Sequence, residues 1–498
     1  MNMIGLRFLL AVASRIPKRR TDAALQDLAV CRTGLLPRAS VLECGVCAPL
    51  WYLVALLACA SLYAEDWPRF LGPRGDGTST ETNLVDKFPE AGPKILWEAS
   101  IGTGYSAPSV RSIGKEKLLV LHHRLKNTKE EIVEGFDANT GKSLWKYSYP
   151  SEFIDPYGYN NGPRCTPLLT EKHCYTFGAE GKLLCLDLQT HKPVWERDTG
   201  KDWEIPQAFF GVGSTPILEG GNLIVMVGGQ TNSGMVAFDP ETGKTKWESV
   251  GARNWTGIPM TGWRGERTVV WNPYEKQASY ATPVAATVNG ARQVFCLMRQ
   301  GLVSLNPANG AVNFSYWFRS EANDSVNASC PVVFGNQVFI SAAYYKVGSV
   351  LLDVAPDNKS VKQVWRGLGL EMHFSTPMLV DGYLYGFSGR DEPDAFFRCV
   401  EYKTGKVMWE RDERGPKHAA KWNTFGRASM IHADGKLYAL GEWGLLGIFK
   451  PNPGKLEEIS RWQVPNLHYP CWAAPVLSDR KLYLRSEDRL LCLDLAKK

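Results

Sequence analysis

Ala237-Phe238-Asp239-Pro240-Glu241-Thr242-Gly243-Lys244-Thr245-Lys246-Trp247 is the stretch on which the fold turns. An Asp, two residues and then Thr-Gly spell a tight turn. The Asp carboxylate caps backbone N–H groups two residues on, and the Gly supplies a positive φ. The Trp opens the strand that leaves the turn. The phrase returns as Gly135-Phe136-Asp137-Ala138-Asn139-Thr140-Gly141-Lys142-Ser143-Leu144-Trp145, as Cys185 to Trp195 and as Cys399 to Trp409. Degenerate copies end at Phe314, Trp365 and Trp462.

A second marker precedes each phrase: a small residue, usually with Pro, before an apolar run. It stands at Pro108, Pro167, Pro216, Pro283, Pro331, Pro377, Met430 and Pro475, at intervals of 45–67 residues. Between the markers lie Tyr- or Phe-bearing strands such as Leu384-Tyr385-Gly386-Phe387. Each unit reads as four short strands, which is a propeller blade. Eight markers predict an all-β, eight-bladed β-propeller with four-stranded blades. The last unit has only three strands before Lys498, while Lys94-Ile95-Leu96-Trp97-Glu98 precedes every complete unit. The amino-terminal strand is therefore expected to complete the last blade and remove the open edges of a linear array. Trp97, Trp145, Trp195, Trp247, Trp365, Trp409 and Trp462 are expected to wedge between neighbouring blades, each burying roughly 150–250 Å². They explain much of an unusual total of 17 Trp.

Composition agrees. The 498 residues are 44% hydrophobic and 22% charged, enough for a large core and too apolar for global disorder. With 47 Gly and 30 Pro the chain is rich in turns. The net charge of +6 is concentrated in residues 1–64, which carry seven Lys/Arg against three Asp/Glu and leave 50 cations against 48 anions in the remainder. No basic block remains, which argues against nucleic-acid binding.

Residues 1–64 read as a targeting segment. Pro49 to Ala60 is uncharged and apolar, too short for the about 20 residues that span a bilayer. It suits the core of a signal peptide at about 49–64, cleaved after Ala60 or Ala64. Residues 1–40 are unusual for an exported protein and suggest a start downstream of Met1. Leu56-Leu57-Ala58-Cys59 is a loose lipobox, so lipidation at Cys59 and an uncleaved anchor are rival readings; no later segment could span a membrane. A periplasmic or extracellular location follows, membrane-tethered if Cys59 is lipidated. Residues 65–92 read as an entry segment and 93–498 as the propeller. Cys165, Cys174, Cys185, Cys296, Cys330, Cys399, Cys471 and Cys492 follow residue 64. An even number in an oxidising compartment permits disulfides, and Cys174 and Cys185 sit on successive strands where they could face each other. The competing reading makes most of the eight small buried strand residues. Cys44-Gly45-Val46-Cys47 is followed by Ala48 and is no haem-attachment site.

The Ala-x-Asp-x-x-Thr-Gly-x-x-x-Trp phrase resembles the tryptophan-docking motif of the pyrroloquinoline-quinone (PQQ) repeat family, over about residues 93–495. That resemblance implies eight blades. It implies no one activity, because the family includes quinoprotein alcohol dehydrogenases and the propeller lipoprotein of the outer-membrane β-barrel assembly machinery. Asp66-Trp67-Pro68-Arg69-Phe70-Leu71-Gly72-Pro73 is similar to the entry segment of exported bacterial members without known activity.

Blade geometry says where a site would lie. Residues just before the innermost strands, and the loops joining second to third strands, face one end of the channel. Tyr105, Asn161, Arg164, Phe210, Tyr280, Asn327, His373, Arg427 and Trp472 come from the first group; Arg390, Asp391, Glu442 and Trp443 come from the second. Polar groups and aromatics converging on one concavity suit a planar, anionic or carbohydrate-like ligand. The insertion between Trp247 and Pro283, with Arg253, Trp255, Trp263, Arg264, Arg267, Trp271 and Tyr274, is expected over the same face, as a lid or a self-packed plug. The resemblance implies, for a dehydrogenase, PQQ under an adjacent Cys-Cys disulfide, Ca²⁺ held by Glu, Asn and Asp, and an Asp base. The chain has no adjacent Cys pair, and its acidic candidates Glu371, Asp391 and Glu442 match no such spacing. His122-His123 in a strand point to opposite faces and make a poor metal pair. The leading expectation is an exported monomer that binds a protein or glycan partner at the channel face, with no cofactor and no catalytic or metal residue assigned. A PQQ-dependent oxidoreductase and an outer-membrane assembly scaffold are the alternatives.

Overall fold

In the computed structural model the turn phrase behaves as its spelling requires. Asp239 accepts from the backbone N–H of Glu241 (3.1 Å) and Thr242 (3.0 Å), and Gly243 sits at φ +68°. Asp137 makes the same pair of bonds to Asn139 and Thr140. The structure describes residues 65–498, apart from 206–209, 230, 252–253, 256–259, 262–268, 271–277, 321–325, 391–393 and 416–422.

Eight four-stranded antiparallel sheets form a ring. The first blade runs Ser109–Ile113, Glu116–Arg124, Glu130–Asp137 and Ser143–Pro150, from the channel outwards. The eighth is assembled from both ends of the propeller. Val476–Ser478, Lys481–Arg485 and Arg489–Asp494 are joined by Ile95–Ser100 as the outer strand, with Trp97 opposite Cys492. The turn that a continuous blade would have is rebuilt from two pieces. In the first blade the Asp137 N–H donates to the Lys142 carbonyl (2.9 Å); in the eighth, the Asp494 N–H donates to the Lys94 carbonyl (2.9 Å).

Each docking Trp lies on the turn of the next blade. The Trp195 indole N–H donates to the Pro240 carbonyl (2.8 Å), with its ring over Gly243. A Cβ at Gly243 would meet the Trp195 ring at 2.6 Å, so the glycine serves both the turn and the close approach. Trp97 donates to Ala138, Trp247 to Pro307, Trp365 to Tyr402 and Trp409 to Asn452. Two copies are modified. Trp145 stacks on His191 (4.8 Å, 14°), which takes the left-handed φ of +58° in place of glycine. Trp462 lies on Gly92, so the entry segment supplies the surface that the eighth blade's missing turn would have offered.

The inner strands are stitched by threonines that precede the Pro markers. Thr166 Oγ1 accepts from the Ala107 N–H, Thr215 from Thr166, Thr282 from Thr215 and Thr376 from Cys330. Proline then opens the inner strand, where its missing N–H leaves no gap in a sheet edge facing the channel.

All eight cysteines after residue 64 are buried free thiols. The expected facing of Cys174 and Cys185 is corrected by the register. Tyr175 pairs with Cys185 and Cys174 with Leu186, so the one-residue offset puts the two thiols on opposite faces of the sheet. Cys185, Cys399 and Cys492 share one role. Each lies between an aromatic on the second strand and the docking Trp on the fourth: Tyr175 and Trp195, Tyr385 and Trp409, Tyr483 and Trp97. Gly135 and Ala237 fill the equivalent position in the first and third blades, and Leu351 fills it between Phe339 and Trp365 in the fifth.

Trp195→Ala should therefore cost about 3–5 kcal/mol in denaturant unfolding, as for other buried aromatics. Gly243→Val should weaken the same junction through both the clash and the strained φ. A Gly243→Val protein as stable as the parent would break the docking account.

Candidate functional site

One end of the channel opens into a cavity of about 180 Å³. Seven of the predicted residues line it: Tyr105, Arg164, Phe210, Tyr280, His373, Arg427 and Trp472. The convergence has a simple cause. Each residue immediately precedes an inner strand, and the eight inner strands start around one rim.

The other six behave differently. Asn327 is fully buried and donates to the Met298 and Phe318 carbonyls, tying loop ends together. Asn161 accepts from the Asp155 N–H and shapes the loop that carries Arg164. Glu442 lies behind the wall, where it receives Arg427 at 2.6 Å and the Trp472 indole at 2.6 Å. Arg390 stacks over the Tyr344 and Tyr345 rings, 4.7 and 4.6 Å from the centroids. Trp443 packs on Tyr469. Asp391 lies outside the described residues, as do Cys59 and the targeting segment.

Tyr159 and Phe374 also line the cavity and were missed by the sequence reading. Phe374 lies one residue past the predicted His373. Tyr159 sits five residues before Arg164 in a long loop whose path is fixed by the Asp155–Arg164 ion pair (2.6 Å) and by the Asn160 and Asn161 side chains. Phe70 and Leu71 enter from the opposite end. The entry segment bonds to the inner strands through Trp67 with Val110 and through Gly77 with His432, and so floors the channel. Gly72, Gly75 and Gly77 all take positive φ along this hook, which is the signal its glycines carried.

The electrostatics are closed. Arg164 is bound to Asp155, and Arg427 to the fully buried Glu442. Arg427 also donates to the Arg390 carbonyl (2.7 Å) and meets His373 Nδ1 at 3.0 Å. A guanidinium can only donate, so Nδ1 is the acceptor and the imidazole proton sits on Nε2, towards the Tyr344 hydroxyl at 3.3 Å. Burial, then Arg427 and Arg390, holds His373 well below its ordinary pKa, and it is neutral at pH 7. Burial raises the Tyr280 phenol to about 12.

This donor set does not fit a calcium-bridged quinone. Glu442 and Asp155 already neutralise arginines, and the carboxyl of Glu371 is pushed up by burial. No group of three or more His, Cys, Asp or Glu among the described residues could hold a metal ion. His122 and His123 have separate partners, Tyr149 with Glu131 and Glu134, as their alternation predicts. Of the insertion, Trp255 is described: it is buried against Trp317 and serves as core. Its Arg253, Trp263, Arg264, Arg267, Trp271 and Tyr274 lie outside the described residues. Among the described residues, no helix is long and apolar enough to cross a membrane.

These features define a class: closed eight-bladed propellers of tryptophan-docked repeats, with an aromatic cavity at one mouth of the channel. The family described as outer membrane protein assembly factor BamB matches residues 129–411, and the chain belongs to that PQQ-repeat family. No curated protein matches the chain significantly. Among solved structures, the quinohemoprotein alcohol dehydrogenase of Comamonas testosteroni is similar at a TM-score of 0.56 and 13% identity, over 89% of this chain and 82% of its own. A europium-containing methanol dehydrogenase is similar at 0.56 and 11%, over 84% and 89%. BamB from Moraxella catarrhalis aligns at 0.49 and 15%, over 80% and 99%. The likeness to the two dehydrogenases shows the fold alone.

Acid should loosen the mouth. The unfolded chain takes a proton on His373 near pH 6.5, while the folded site resists it. Stability is therefore full above that pH and falls as pH drops through it towards the depressed folded value. Thermal melts from pH 8 to 5 should show the loss, and His373→Gln should flatten the profile. An unchanged slope in His373→Gln would remove His373 as the cause.

Proposed function

We propose that the protein is an exported PQQ-like repeat propeller acting as a binding or scaffold module, which engages a protein or glycan partner at the channel mouth. One observation carries this reading: the mouth is walled by aromatic rings, while each charged wall residue is already paired with a carboxylate behind it. Such a wall has shape, apolar area and polar tips, as recognition requires. It holds no carboxylate free to act as a base among the described lining residues. Membership of a family described by outer-membrane protein assembly supports a scaffold role.

A photo-cross-linking residue at Tyr159, beside the mouth, should yield covalent adducts in envelope extracts. The same residue at exposed Phe334, in an inner-strand hairpin turn of the fifth blade, should not. Equal labelling at both positions, or none, would remove the mouth as the working surface. Mixing with PQQ and Ca²⁺ should give neither cofactor absorbance nor dye reduction. Uptake with turnover would replace this reading by a quinoprotein oxidoreductase.

Export carries its own measurement. The intact mass of the mature chain should place its first residue at Ser61 or Glu65. A lipid-modified Cys59 would instead tether the propeller to a membrane and favour the outer-membrane assembly scaffold; an amino terminus upstream of Pro49 would overturn cleavage.

A further inference from the structure

We propose that the mouth cavity binds one neutral sugar ring of a glycan, with a neighbouring ring of the same glycan resting on the loop that carries Tyr157 and Tyr159. The inference rests on the binding role proposed above and adds the chemical class of the ligand.

Ring geometry is the first argument. Tyr105, Tyr159 and Phe374 surround Trp472 at centroid distances of 4.9, 5.5 and 5.7 Å. Their planes are tilted from the indole by 49, 65 and 42°. Phe210 and Tyr280 continue the wall at 5.7 Å and 56°. A flat polycyclic ligand is gripped best between parallel faces, and these pairs offer none. Tilted faces make a bowl. A bowl suits a puckered ring that presents C–H groups on several sides and hydroxyls at its edge.

Charge is the second. An anionic ligand needs uncommitted cations, and Arg164 and Arg427 are bound to Asp155 and Glu442. A cationic ligand needs open aromatic faces. Arg427 already covers Phe374 and Trp472, at 5.6 and 5.4 Å from the centroids, and Arg164 covers Tyr105 at 5.4 Å. The protein's own cations thus hold one face of each of these three rings and leave fewer cation–π positions for a cationic ligand. A neutral ligand is favoured.

Size and polarity are the third. About 180 Å³ falls below the roughly 300–1,000 Å³ of pockets for drug-sized ligands and suits a single ring. Hydroxyl groups of Tyr105, Tyr159, Ser375 and Ser429 stand among the lining side chains, where they can meet the ring edge. At the rim of the cavity Tyr159 is 52% exposed, and beyond it Tyr157 is 56% exposed and lies 5.4 Å from Phe210. The aromatic surface thus continues from the bowl into solvent, as a chain longer than one sugar would use.

Maltotriose, cellotriose and tri-N-acetylglucosamine are the probes, read by calorimetry and saturation-transfer NMR on the full-length mature protein. At least one should bind with a Kd between about 10 μM and 5 mM, near −7 to −3 kcal/mol. Tyr159→Ala, at an exposed ring, should weaken it at least tenfold without moving the Tm. Trp472→Ala should abolish it, with circular dichroism reporting whether the loss is of binding or of fold. Saturation transfer should be strongest to sugar C–H protons. No binding by any of the three at about 10 mM would overturn the sugar assignment. So would stronger binding of methyl glucuronide, of PQQ or of a tyrosine-rich peptide. If the Tyr159 cross-linker still forms adducts while all sugars fail, the binding role stands and only this inference falls. If both fail, both fall.

Discussion

An indole ring laid on a glycine of the next blade is the contact on which the molecule depends. A propeller blade has two greasy faces and cannot be stable alone. The fourth-strand Trp covers part of the neighbour's face and fixes its angle through a directed N–H bond to a turn carbonyl, as Trp195 does at Pro240 and Trp365 at Tyr402. The Asp of the turn, its glycine and the Trp are therefore one device. Cysteine fills the slot between the strands in three blades. Burial raises the Cys399 thiol to about 11, so these residues behave as inert small hydrophobes.

Closure is the point where this device meets a chain end. The eighth blade lacks its own turn, and Lys94 and Gly92 supply the missing carbonyl and the missing surface. The fully buried Arg485 sits beside the same seam and donates to carbonyls of Ser106 and Gly102, in the segment between the closing strand and the first blade; burial lowers its pKa to about 10. The entry segment then passes under the channel. It turns an open tube into a blind cavity, and Phe70 and Leu71 become part of its wall.

The mouth inherits its rigidity from the ring. Glu442 is a buried carboxylate that orients Arg427 and Trp472 together, and Arg427 in turn fixes the proton of His373. Breaking such a buried pair leaves an uncompensated charge, which is costly. The groups that could titrate are used to hold rings in place. The rings of the wall are thus held at fixed mutual angles by buried ion pairs behind them.

The sequence by itself determined the number of blades, their four strands, the closing role of Ile95–Ser100 and the docking Trp positions, because each rests on a local turn code repeated at regular spacing. It also brought Tyr105, Arg164, Phe210, Tyr280, His373, Arg427 and Trp472 to one rim, since position relative to an inner strand is a property of the repeat. Only the tertiary structure decided which side chains face the cavity. Asn327 and Asn161 occupy rim positions yet turn to backbone partners, because buried amides must be satisfied nearby. Tyr159, Phe70 and Leu71 reach the cavity through a loop and an entry segment that obey no repeat. Cys174 and Cys185 were separated by a register of one residue, a quantity set by pairing across strands and absent from the spacing along them.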